Sequence, residues 1–425
     1  MVQIDLLIYN ARQLLTCASP NGPKRGTAMQ NVGMIEEGAV AIDRGKIIEV
    51  GLSSELKTRY TAKTMLDAHG KVVCPGFVDP HTHVVYAGDR VNEFEMRIRG
   101  ASYMEIMEAG GGIVSSARAV RAASIDQLVD ETLPRLDTML RFGTTTLEVK
   151  AGYGLDEDNE LKLLKAIETL AKRHPCTLVP TFLGAHAIPQ EYKSKPERYV
   201  RIVIEKMLPH AAAWYEESLF KQLDIPFYCD VFCEQNAFTL DQSRRILEAG
   251  LSLGLGAKIH ADEFTSLGGV RLAVELNAVS VDHLDVTTAV ERDLLANSNT
   301  IGVVLPAVNF NLGSAHFADA RSLLDSGCAI ALSTDINPGS APCPSLPLVM
   351  AIATRYQHLM PSEVLIASTI NAAYAIGMGK RVGSLEPGKF ADILILSTGD
   401  YRHLCYQFAD NLVETVIKNG EIITR

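Results

Sequence analysis

Val72-Val73-Cys74-Pro75-Gly76-Phe77-Val78-Asp79-Pro80-His81-Thr82-His83 is a short apolar run that ends in a pair of histidines. A run of this length, rich in Val and closed by polar residues, reads as a buried strand. Residues two apart in a strand point the same way, so His81 and His83 face one point beyond its end. An H-x-H pair alone is weak, because two polar residues at a strand end are ordinary. What decides its meaning is the company it keeps.

Seven further apolar runs follow, at residues 144–152, 177–187, 226–234, 256–263, 278–284, 301–307 and 330–335. Helical periodicity fills most gaps between them; residues 159–172 keep Leu161, Leu164, Ile167 and Leu170 at helical spacing. Strands alternating with helices signal βαβ units and a parallel sheet. Eight such units predict an α/β fold, a (β/α)8 barrel of the TIM type. Both chain ends read instead as β hairpins and strands. Ile4-Asp5-Leu6-Leu7-Ile8-Tyr9 is one strand, the turn Asp43-Arg44-Gly45 joins two more, and Asp392-Ile393-Leu394-Ile395-Leu396 precedes a last hairpin turned at Lys418-Asn419-Gly420-Glu421. Neither end is large enough to hold a core alone. Residues 1–71 and 383–425 are therefore expected to form one small β-sandwich, and residues 72–382 the barrel.

Composition narrows the chemistry. The chain has 425 residues, 47% apolar and 21% charged, with no apolar stretch long enough to span a bilayer. The start, Met1-Val2-Gln3-Ile4-Asp5, lacks the basic and apolar regions of a signal peptide, so a cytoplasmic location is expected. A net charge of −10 argues against a nucleic-acid partner. No P-loop and no G-x-G-x-x-G follows a strand. Eight cysteines without a C-x-x-C pair read as reduced core residues.

Histidines and acids gather at the C-terminal ends of the strands, where barrel enzymes place their active sites. The fifth strand ends Lys258-Ile259-His260-Ala261-Asp262-Glu263, the sixth Asp282-His283, and the eighth Ser333-Thr334-Asp335. His81, His83, His260 and Asp335 make a four-ligand set of nitrogen and oxygen with room for a water, suited to one divalent or trivalent ion. Such a set accepts zinc, iron or manganese. Glu263, three residues after a ligand, is placed to take a proton from the attacking water and return it to a leaving nitrogen. His283 can polarise a carbonyl or steady the nucleophile, and Asp335 can share in the proton traffic.

This order of residues resembles the amidohydrolase superfamily, as does the stretch Gly383-Ser384-Leu385-Glu386-Pro387-Gly388-Lys389-Phe390-Ala391-Asp392 that leads into the terminal sandwich. The resemblance implies a barrel flanked by a sandwich from both chain ends, with His81, His83, His260 and Asp335 as the ligands of one metal, zinc or iron. Further stretches narrow it. They are Ala87-Gly88-Asp89-Arg90, Gly100-Ala101-Ser102-Tyr103 through Ala109-Gly110-Gly111-Gly112-Ile113, Glu148-Val149-Lys150-Ala151-Gly152-Tyr153-Gly154-Leu155, Leu183-Gly184-Ala185-His186, Asp230-Val231-Phe232-Cys233-Glu234 and Ser333 to Ser340. Across essentially the whole chain these resemble the imidazolonepropionase family. That implies hydrolysis of the cyclic amide of 4-imidazolone-5-propanoate to N-formimino-L-glutamate, in histidine degradation. It also implies substrate contacts at Arg90, Tyr153, His186, Glu263, Asn337, Gly339 and Ser340.

The residues agree with a small-molecule substrate carrying a carboxylate tail. Arg90 is a candidate clamp, since guanidinium matches a carboxylate bidentately. Tyr153 and His186 are expected as donors, and Asn337, Gly339 and Ser340 as contacts to ring and amide atoms. Ala151 stands where the family commonly has serine, and Ile336 where it commonly has an aromatic; neither is a proposed ligand. The fourth strand has no lysine to bridge two ions, which favours one metal, although Glu234 could bridge a second. Gly110-Gly111-Gly112 reads as a lid hinge or a helix terminator. Residues 190–223, with Trp214 and Tyr215, are a candidate homodimer surface. The competing readings are a purine or pyrimidine deaminase of the same superfamily, which would need no anion clamp, and a silent scaffold, which the complete ligand set opposes.

Overall fold

The computed structural model describes residues 1–101, 105 and 110–424. Ser102, Tyr103 and Ala109 of the glycine-rich stretch lie outside them. Two eight-stranded sheets carry the fold. The first is mixed, with hydrogen-bonded order β16-β15-β14-β5-β1-β2-β3 and β4 paired to β1. Here β1 is Val2–Leu15, β2 Met34–Asp43, β3 Lys46–Leu52, β4 Tyr60–Asp67, β5 Val72–Pro75, β14 Ile393–Leu396, β15 Val413–Lys418 and β16 Glu421–Thr424. Both chain ends thus share one sheet, which folds over a core of Leu6, Ile8, Val40, Ile42, Ile393 and Ile417.

The second sheet is parallel throughout and runs in chain order. Its strands are β6 (Phe77–Asp79), β7 (Thr144–Lys150), β8 (Thr177–Ala185), β9 (Tyr228–Cys233), β10 (Gly256–Ala261), β11 (Ser280–His283), β12 (Ile301–Val304) and β13 (Ile330–Leu332). They match the eight expected runs one for one. The first run differs in being two strands. Val72–Pro75 pairs with β1 and β14 in the mixed sheet, and Phe77–Asp79 pairs with β7 in the barrel. Gly76 is the crossing point, where a Cβ would collide with Thr145.

The barrel closes between its last and first strands through a carboxylate. Asp79 accepts from the Ser333 hydroxyl, from Thr334 N at 3.1 Å and from Thr334 Oγ1 at 2.6 Å. Just above, Asp335 N donates to His81 O and His83 N to Ile336 O. On the other side Lys150 N donates to Thr82 O. The His81–His83 segment is therefore clamped as an extended ribbon between the ends of β7 and β13.

Helices cover the barrel, and their caps are visible in the sequence. Glu157–Arg173 starts two residues before its periodic pattern because Asp156 accepts from Asn159 N at 2.8 Å. Its inward face uses Leu163 beside Leu164, Ile167 and Leu170, whereas Leu161 is only half-buried. Gly112 begins the helix Ile113–Ala122 at φ 77°. Trp214 and Tyr215, expected at a homodimer surface, are half-buried against Phe227 of their own chain. All eight cysteines are free thiols. No helix of the described residues is long and apolar enough to cross a membrane.

Candidate active site

At the C-terminal ends of the barrel strands the structure brings together His81, His83, His260, His283 and Asp335, all buried. One nitrogen from each of His81, His83 and His260 lies within 4.8 Å of the others, and so do atoms of His81, His283 and Asp335. Asp335 Oδ1 is 3.5 Å from His81 Nε2 and 3.6 Å from His83 Nε2. His83 and His260 approach Nε2 to Nε2 at 3.5 Å. Burial first, and then neighbouring cations, holds His81, His83 and His283 well below the usual histidine range. Neutral imidazoles are what a metal requires. Burial likewise pushes Asp335 well above the usual carboxylate range, a direction that a bound cation would reverse.

The donor set fits a metal ion on two further observations. His81 Nε2 and Asp335 Oδ1 are buried without a hydrogen-bond partner. Such orphans are rare and costly unless something else satisfies them. On the far side of each ring, His81 Nδ1 meets Asp282 Oδ2 at 2.7 Å and His260 Nδ1 meets Asp230 Oδ1 at 3.1 Å. A carboxylate on Nδ1 leaves Nε2 bare and fixes the ring, the arrangement that supports metal-binding histidines. Asp230 and Asp282 had no assigned role in the sequence reading. Their signal was there: lone acids inside otherwise apolar strands.

The catalytic candidates also meet. Glu263 Oε2 is 3.7 Å from His283 Nε2. Burial, with Asp285 and Asp335 adding to it, raises the Glu263 carboxyl well above its usual range. Glu234 is occupied elsewhere. Its carboxylate accepts from Phe264 N at 2.9 Å, Thr265 N at 3.1 Å, Gln235 N at 2.7 Å and the Thr265 hydroxyl. It thus holds the loop just after Glu263, so the expected option of Glu234 as a metal bridge is not what its geometry serves.

A cavity of about 350 Å³ opens over these groups and contains every expected substrate contact: Arg90, Tyr153, His186, Glu263, Asn337, Gly339 and Ser340 all line it. Their chemistry differs in places from the expectation. His186 stacks on His83 with ring centroids 4.8 Å apart, and its Nδ1 donates to Gly152 O at 3.0 Å. Burial lowers its pKa to about 3. The ring is neutral, and Nε2 is an acceptor rather than the expected donor. Asn337 Nδ2 donates to Asp335 O and Ser340 Oγ, while its Oδ1 accepts from Gly339 N and Ser340 N. All four of its hydrogen-bonding places build the loop, so the side-chain amide does not reach for a ligand.

Arg90 donates to Glu93 Oε2 through Nε at 2.9 Å and Nη2 at 2.6 Å. Its guanidinium lies against Gly339, where any Cβ would collide with it. Arg97 lines the same wall and donates to Gly339 O at 3.0 Å. Glu93 and Arg97 were missed in the sequence. Their spacing of three and seven from Arg90, along the helix Val91–Ile98, puts the three on one face.

The amidohydrolase family profile matches residues 247–423. An imidazolonepropionase from Chloroflexus aggregans is 54% identical over 423 residues, covering 100% of this chain and 99% of that protein. Another, from Herpetosiphon aurantiacus, is 49% identical over 425 residues, with coverage of 100% and 98%. Among solved structures, a zinc-bound adenosine deaminase from Xanthomonas campestris superposes with a TM-score of 0.75 at 18% identity, covering 100% of this chain and 93% of its own. The guanine deaminase of E. coli gives 0.73 at 14% identity, with coverage of 99% and 98%. At such identities these two establish the shared fold alone.

Proposed function

The chain belongs to the imidazolonepropionase family of the amidohydrolases, and from that premise we propose how it opens the cyclic amide of 4-imidazolone-5-propanoate to give N-formimino-L-glutamate. His81, His83, His260 and Asp335 hold one metal ion per chain, zinc or iron. When bound, the ion supplies Lewis-acid polarisation of the carbonyl and lowers the pKa of water towards neutrality. The observation that carries this reading is the orphaned pair His81 Nε2 and Asp335 Oδ1, 3.5 Å apart and buried.

Glu263 accepts the proton of the attacking water as its oxygen bonds to the ring carbonyl carbon. It then delivers that proton to the ring nitrogen as the C–N bond breaks, so no proton is gained or lost overall. His283, facing Glu263, steadies the developing negative charge, and Asp335 shares the proton with Glu263. At the other end of the cavity Arg90, aligned by Glu93, takes the propanoate. Tyr153 donates to it from one side. His186 accepts from a ring N–H, and the 337–340 loop supplies Ser340 and backbone groups.

The chain is further proposed to act in the cytoplasm, as a homodimer, without a nucleic-acid or membrane partner. Residues 1–71 with 383–425 form one unit in this proposal and 72–382 the other, except that Val72–Pro75 pairs in the sheet of the first. The discriminating experiment assays ring opening of 4-imidazolone-5-propanoate beside deamination of guanine, adenine and cytosine. The expected result is turnover of the imidazolone alone. Faster deamination of a nucleobase would replace this reading with the deaminase one.

A further inference from the structure

Beneath the histidines, β7, β9, β10 and β11 carry a second polar layer inside the barrel: Glu148, Lys150, Asp230, Lys258 and Asp282, every one with no exposed surface. Barrel interiors are normally filled by branched apolar side chains, and buried ions are costly unless closely paired. These ions are paired, in a chain with direction. Lys150 Nζ lies 2.7 Å from Asp230 Oδ2, 2.9 Å from Glu148 Oε2 and 3.6 Å from Asp282 Oδ2. Asp230 Oδ2 thus takes the ammonium and lies 3.0 Å from His260 Nδ1, while Oδ1 lies 3.1 Å from the same Nδ1 and accepts from Val231 N at 2.7 Å. Lys258 is anchored differently, donating to the backbone carbonyls of Pro80 and Ala375 and facing Glu148 at 3.3 Å.

We propose that Lys150 is a positioning residue for the metal centre, fixing the Asp230 carboxylate and, through it, the ring of His260 with Nε2 toward the ion. The inference rests on the reading of His81, His83, His260 and Asp335 as ligands. Its physical basis is that a carboxylate gripped at Oδ2 by a buried ammonium and at Oδ1 by Val231 N is fixed with both oxygens facing the imidazole. Without the ammonium, Oδ2 loses its anchor and the carboxylate can swing about its remaining bond to Val231 N, so the His260 ring loses its fixed alignment. A lysine that only fills the barrel would influence folding and leave the ligand geometry alone.

The test uses the full chain stripped of metal and titrated with Co(II) against a chromophoric chelator, with folding followed by near-UV circular dichroism. Lys150→Met and Asp230→Asn are each expected to lower Co(II) affinity by roughly 10- to 100-fold, the range for supports of metal ligands. Each is also expected to change the visible bands of the bound Co(II). Because both act through one route, the double variant should lose no more than about threefold beyond Asp230→Asn alone. The double variant also removes one charge of each sign, so it serves where Lys150→Met does not fold. Native affinity in a folded Lys150→Met or Asp230→Asn protein overturns the proposal, as does a double variant whose losses multiply. A wild-type chain that binds no Co(II) overturns instead the ligand reading on which it rests.

Discussion

Glu263 and His283 face each other across 3.7 Å, and burial holds the Glu263 carboxyl well above its usual range. Glu263→Gln keeps the shape of the side chain and removes its capacity to accept a proton. Metal content should stay native while turnover falls roughly 100-fold or more, the scale for loss of a general acid–base group; a loss of metal in parallel would make Glu263 a ligand. Arg90 is proposed to work instead on binding. Its charge-assisted contact with the tail is worth about 1.5–3 kcal/mol, so Arg90→Ala should raise KM roughly ten- to a hundredfold. Arg90→Ala/Glu93→Gln should be measured beside it, since the single change strands Glu93. An analogue lacking the carboxylate should be insensitive to either variant, and equal damage to both substrates would make Arg90 a support of the 337–340 loop. At this scale the sequence was readable for placement, through strand alternation for His81 and His83 and a strand end for His260, which the structure brings together. It was not readable for Asp230, Asp282 and Lys150, which act through contacts between strands far apart in the chain. Nor did it show that Asn337 is consumed by its own loop.

Between strand and loop, the functional side chains are aimed by backbone that the residue types do not announce. Asp262, His283 and Asp335 all adopt positive φ, at 57°, 87° and 51°. Non-glycine residues in this region cost of order 1–3 kcal/mol each and persist where surrounding contacts enforce them. The Glu234 carboxylate is one such enforcement, pinning residues 264 and 265 directly after Glu263. Glu234→Gln should therefore leave metal content unchanged and lower kcat by about tenfold or more through misplacement of Glu263. Parallel loss of metal would restore a bridging role. Glu160 does the same for the loop after Tyr153, accepting from Gly154 N and Leu155 N at 2.7 and 2.8 Å. Burial raises its pKa from 4.5 to about 7. Its ionisation therefore costs the folded state more than the unfolded one, and stability falls as pH rises from 4.5 through 7. Glu160→Gln should gain up to about 3 kcal/mol at pH 8 relative to pH 5, read from urea midpoints; a pH-independent difference would contradict this. Strand order and number were legible because apolar runs recur with helices between them. The split at Gly76 was not, since one continuous run serves two sheets.

Over the whole molecule, the two chain ends complete one sheet and leave the barrel mouth open on the side where the ligands converge. Both features were foreseen, because neither end could bury a core alone and because eight strand-helix units close. The metal ion proposed for this site should stabilise the fold. At a free concentration 1,000 times its Kd it adds about 4 kcal/mol, seen as a higher Tm than the stripped protein shows; an unchanged Tm would mean no ion binds the folded site. The central claim, a single ion held by His81, His83, His260 and Asp335 that serves ring opening, is tested most directly by reconstitution. The stripped enzyme is titrated with Zn(II) or Fe(II) while hydrolysis of 4-imidazolone-5-propanoate is followed, with His81→Ala in parallel. The account predicts activity rising linearly and levelling at one equivalent per chain, and none from His81→Ala at any equivalence. Full activity in the stripped enzyme, or a break at two equivalents, would contradict it.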